Sequence, residues 1–109
     1  MNIESLREHL AIKEMGAKLR YDADTNISDW YEFPDGLKID IEDWNPPENI
    51  EQAEGCIETF EWYSICKNDD SYAEPGKPYS CEVAQEVEVN KSKTMAMSLA
   101  AAKATGWKE

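Results

Sequence analysis

SKTMAMSLAAAKATGW, residues 92–107, decides how the rest of this chain is read. Ser92 and Thr94 can each cap a helix start by accepting a backbone N–H. Met95, Met97, Leu99 and a row of alanines favour helix, and Gly106 can close it in the left-handed conformation. The stretch predicts a C-terminal helix. Its small residues, Ala100, Ala101, Ala102 and Ala104, let it approach a sheet closely.

Upstream of it, Tyr79, Cys81, Val83, Gln85, Val87 and Val89 alternate with Ser80, Glu82, Glu86 and Glu88. That period predicts one long strand over 79–89. A polar loop at 68–78 separates it from a shorter strand, WYSIC at 62–66. Asn45-Pro46-Pro47 predicts the start of a middle helix, because Asn caps and Pro is tolerated in the first turn. Ile50, Ala53, Ile57 and Phe60 form its apolar stripe. Gly55 interrupts this helix at a cost of about 1 kcal/mol relative to Ala, which a close packing contact would explain.

Trp30, Tyr31 and Phe33 favour strand, and Pro34-Asp35-Gly36 predicts a turn. Leu37, Ile39 and Ile41 then alternate with Lys38, Asp40 and Glu42. Together these make a hairpin. DADTN at 22–26 reads as a turn, and Ala17, Leu19 and Tyr21 alternate as a short strand would. Residues 3–15 predict an amphipathic helix with Ile3, Leu6 and Leu10 on one stripe and Gly16 as its stop. The expected order is α-β-β-α-β-β-α. The fold class is α+β, with helices packed on one mostly antiparallel sheet of about four strands, in a single domain over 1–109.

The 109 residues carry 23 acidic and 11 basic side chains, a formal charge of -12. Residues 21–90 alone hold 19 acidic and three basic ones. This balance argues against direct nucleic-acid binding and against anionic membrane surfaces. No apolar run is long enough to cross a membrane, and 1–10 has no signal-peptide pattern, so a cytoplasmic protein is expected. The odd count of three cysteines fits reduced thiols.

Four segments resemble a known family: KEMG at 13–16, the acidic hairpin, WNPPENIEQA at 44–53 and TMAMSLAAAKATGW at 94–107. They look like the phage ABA-sandwich domain, small tailed-phage and prophage proteins with helices packed against a sheet. Ala17 departs from the pattern, where many members have Trp after Met-Gly. The resemblance implies a phage or prophage accessory protein in the host cytoplasm. It carries over no catalytic residue.

No cofactor or metal site is expected. His9 is the single histidine, so a Cys2His2 site is excluded, and the cysteines lack the CxxC spacing that seeds other zinc sites. Asp22, Asp24, Asn26 and Ser28 fail as a calcium loop, because Ile27 and Phe33 occupy the positions of its glycine and glutamate. Binding is the better expectation. Trp30, Trp44 and Trp62 are candidate anchors for a protein partner, and Asp40, Glu42 and Asp43 are the candidate acidic contacts. The acidic middle can serve solubility, steer a basic protein, or mimic the DNA phosphate backbone and so inhibit a host defence or nucleic-acid-binding protein. Unpaired strand edges are also compatible with a homodimer.

Overall fold

The computed structural model describes residues 2–21, 29–67 and 76–108. The proposed turn at 22–26, the first seven positions of the rejected calcium loop and most of the 68–78 loop lie outside them. The described elements are three α-helices and two three-stranded antiparallel sheets, in the orders β1-β2-β3 and β4-β5-β6.

The C-terminal helix, α3 (Lys93–Ala104), is the centre of the molecule. Ser92 caps it by accepting the Met95 N–H. At its far end the Trp107 N–H reaches the Ala102 carbonyl and the Gly106 N–H reaches Lys103, with Gly106 at φ 97°. That is a Schellman ending, and it needs the left-handed glycine. Every residue from 96 to 102 is buried. A helix buried all round needs neighbours on every side. The second sheet covers one side of α3, while α1 (Ile3–His9), the π-helical turn after it (Leu10–Glu14) and α2 (Ile50–Glu58) pack against others.

The second sheet comprises β4 (Tyr63–Lys67), β5 (Tyr79–Val83) and β6 (Glu86–Asn90). The expected long strand over 79–89 is therefore a hairpin. Ala84 and Gln85 take φ values of 47° and 76°, a two-residue turn with both central residues left-handed. Neither is the Gly or Asn that normally marks such a turn. The turn pairs Val83 with Glu86 and Cys81 with Glu88, so every side chain after it changes face. Cys81 and Val83 are fully buried, whereas Val87 is 57% exposed. Glu88 faces inward with them and forms an ion pair with Lys103 of α3.

The first sheet comprises β1 (Lys18–Arg20), β2 (Trp30–Glu32) and β3 (Lys38–Asp40). The expected single sheet of about four strands is thus two sheets of three. The short alternating segment around Leu19 does form a strand, and the hairpin split adds another. Tyr31, Leu19 and Ile39 stand opposite one another on one face. The other face carries Lys18, Glu32 and Lys38 in one row and Arg20, Trp30 and Asp40 in the next.

This sheet and the single turn of 3-10 helix after it (Ile41–Asp43) are tied to α1 by a reciprocal clasp. Arg7 Nε donates to the Trp44 carbonyl at 2.6 Å and Nη2 to the Ile41 carbonyl at 2.8 Å. Trp44 Nε1 donates back to the Arg7 carbonyl at 2.8 Å.

Candidate functional site

The hairpin turn between β2 and β3 builds one wall of a groove. Gly36 donates to the Phe33 carbonyl, and Phe33 to the Leu37 carbonyl, both at 2.9 Å. Pro34 presets its own φ, and Gly36 supplies the left-handed position at 91°. The Asp35 carboxylate accepts the Leu37 N–H at 3.0 Å, which fixes its direction. Leu37 is left 54% exposed.

The opposite wall is the start of α2. The capping residue is Asn49, which accepts the Gln52 N–H at 3.1 Å. The expected cap, Asn45, sits in the turn before the helix instead. There its N–H donates to Gln52 Oε1 at 2.6 Å and its carbonyl accepts from Glu48. The helix starts only after the turn that contains the two prolines.

Between these walls is a groove of about 540 Å3. Its apolar lining includes Phe33 and Trp44, whose rings lie 5.0 Å apart and tilted by 50°, together with Met15, Leu37 and Ile39. Asp35 and Glu51 line it from opposite walls, and among the described residues no cation does. Gly55 belongs to the lining as well. A Cβ placed on it meets no described atom within 4 Å, so it makes no close packing contact, contrary to the sequence expectation.

The candidate anchors separate. Trp44 is 3% exposed and clasped by Arg7, so it is a core residue that also lines the groove. Trp30 is half-buried on the polar face of the first sheet, and its Nε1 has no partner among the described residues. Trp62 is 59% exposed beside β4, in a different region. Asp40, Glu42 and Asp43 are all exposed. Asp40 lies across from Trp30, in one row with Arg20. The structure thus does not gather the six candidates into one patch. The groove's own residues, Met15, Leu37, Asp35, Glu51 and Gly55, were not candidates. The available signals were an exposed Leu after a Pro-Asp-Gly turn and a glycine inside a helix.

The reactive side chains lie elsewhere. His9 is half-buried, and its Nε2 is 2.8 Å from the Thr105 hydroxyl. That hydroxyl donates to the Ala101 and Ala102 carbonyls, so His9 is the donor and pins α1 to the end of α3. Burial lowers its pKa, a backbone hydrogen bond at Ala102 opposes this, and Lys13 adds to the lowering. The three thiols are unpaired. Burial pushes Cys81 up to about 11 with a further rise from Cys66, and burial raises Cys56 as well, helped by Glu14. Thiols held protonated in this way are poor nucleophiles.

Glu14, on the π-helical turn, accepts the Thr59 hydroxyl at the end of α2, and its second oxygen is buried with no oxygen or nitrogen donor among the described residues. Among the described residues no group of three or more His, Cys, Asp or Glu is placed to hold a metal ion. No helix among them is long and apolar enough to cross a membrane.

No protein-family model, curated protein or solved structure matches this chain.

Proposed function

We propose that this chain is a phage or prophage accessory protein of the host cytoplasm that acts without catalysis, by binding a protein partner. The partner docks in the groove between the β2–β3 hairpin and α2. One observation carries the reading: a groove lined by Phe33, Trp44, Met15, Leu37 and Ile39 lies between two carboxylates, while His9 and the cysteines line no part of it. Such a surface offers apolar contact and charge complementarity. The phage origin rests on the resemblance at 13–16, 44–53 and 94–107.

Mimicry of the DNA backbone gains no support from the first sheet. Its polar face sets Lys18, Arg20 and Lys38 among Glu32 and Asp40, with Arg20 bonded to Glu32 at 3.0 Å.

The test is affinity purification from a lysogenic host with the intact protein as bait. A basic protein is expected to be retained, less of it as ionic strength rises. If nothing is retained beyond what a charge-matched control bait holds, the binding reading is lost.

A further inference from the structure

We propose that the groove receives one large apolar side chain of a protein partner, with a lysine or arginine of the same segment set between Asp35 and Glu51. This rests on the binding reading above and states the chemistry of its occupant. The volume of about 540 Å3 falls in the range of ordinary ligand clefts. It has room for an aromatic or long aliphatic side chain and the residue beside it.

The floor selects the apolar group. Phe33 and Trp44 are each at most 5% exposed, so their position does not depend on an occupant. Met15 lies beside them, and its unbranched side chain adapts to varied shapes. Gly55 provides the berth. A helix-interior glycine costs about 1 kcal/mol relative to alanine. Here no left-handed angle and no close neighbour among the described residues offsets that cost. What the missing side chain leaves is space over the floor.

The walls select the charge. Glu51 precedes Gly55 by one helical turn, on the same face of α2. Asp35 faces the groove from the hairpin, directed by its bond to the Leu37 N–H. With no cation in the described lining, these exposed carboxylates leave the rim acidic and complementary to a basic occupant. A second copy of this chain is a poor occupant, because its formal charge of -12 opposes self-association at an acidic rim.

The experiment pans a random displayed-peptide library over the intact protein at low salt. Selected peptides are expected to carry Trp, Phe, Leu or Met with Lys or Arg within about three positions, the span of a short segment across the groove. Synthetic copies should shift the Met15 and Ile39 methyl resonances. They should bind Gly55→Phe about tenfold more weakly or worse, and Gly55→Ala more weakly by a smaller factor. Asp35→Asn combined with Glu51→Gln should weaken them about threefold to tenfold, with a shallower salt dependence.

The proposal is overturned if no peptide is enriched, if the enriched peptides lack basic residues, or if they bind Gly55→Phe equally. Saturation of the groove by uncharged indole as tightly as by the peptides also overturns it, and so does a dimer that buries the groove. Should Gly55→Phe not fold, methyl resonances unmoved at saturating peptide decide against it. A host protein retained equally by native and Gly55→Phe bait would leave protein binding standing and remove only this assignment.

Discussion

The second sheet lies under α3, whereas the first is tied to α1 by the Arg7–Trp44 clasp. The strands of the second have five residues, and Cys81 and Val83 are sealed at 0% exposure. The strands of the first have three, and Leu19, on the same face as the buried Tyr31, is still 48% exposed. A 109-residue chain buries a limited apolar area. Here the one helix that is buried all round serves the second sheet. The first sheet runs directly into a segment whose Ile41 and Trp44 carbonyls Arg7 holds against α1. A hairpin attached in that way can stand off from its neighbour, and the groove lies where it does so.

The sharpest way to break this comparison is a pair of valines. Val83→Ala should cost about 2.5 kcal/mol, because it leaves a cavity under α3. Val87→Ala, beyond the turn, should stay within about 0.5 kcal/mol, because the side chain is already in water. Urea unfolding of both variants with unchanged slopes measures this. Equal costs would mean that the β5–β6 register is wrong.

The same pair marks how much was legible in the sequence. The C-terminal helix, its Ser92 cap and its Gly106 ending were legible, because each rests on local backbone chemistry. The β2–β3 hairpin was legible from Pro34-Asp35-Gly36. The β5–β6 hairpin was not, because Ala84 and Gln85 carry no turn signal and the apolar alternation runs straight through them. The two-residue turn reverses the chain so that odd positions before it share a face with even positions after it, which takes Val87 and Val89 off the core face and puts Glu88 on it. Lys103 meets that carboxylate, a long-range pairing that no local rule reveals. Trp44 was a candidate anchor by residue type alone, and only the fold places Arg7 against it. The groove joins segments 15, 33–39 and 49–55, so no single stretch could announce it.

The clasp can be cut directly. Arg7→Met keeps much of the apolar stem and strands the Ile41 and Trp44 carbonyls, at a cost of about 2 kcal/mol. The loss should be local. Amide exchange should quicken in β1–β3 by about 30-fold, the rate equivalent of that energy, and much less in β5. Uniform acceleration across both sheets would show that the two are not held separately.

Glu14 joins the N-terminal helical segment to α2 and tests whether that contact depends on pH. Burial pushes its carboxyl up to about 7, against the pull of hydrogen bonds from Thr59 and Cys56. Between its ordinary value of 4.5 and about 7, the folded chain keeps a proton that the unfolded chain has released. The stabilisation is therefore complete below 4.5 and is lost as pH rises through 7. Discounted for the water that reaches this site, the loss is about 1.5 kcal/mol. Urea midpoints at pH 5 and pH 8 should diverge by that amount more in the native chain than in Glu14→Gln. The repulsion within a chain of net charge -12 is nearly the same in both, so the difference isolates Glu14. Parallel pH profiles would remove the buried carboxylate from the account.

Gly55→Ala is the smallest change and runs in the opposite direction. A methyl group at this position meets no described atom, and the backbone is helical, so the substitution should gain about 1 kcal/mol, seen as a Tm rise of about 5 °C. A gain means that the native residue is not the most stable one available on that wall. Stability set aside at a half-buried, groove-lining position is the pattern expected where binding space matters more than helix strength. Had Gly55 served close packing, the same substitution would destabilise α2, and the groove would lose its simplest physical justification.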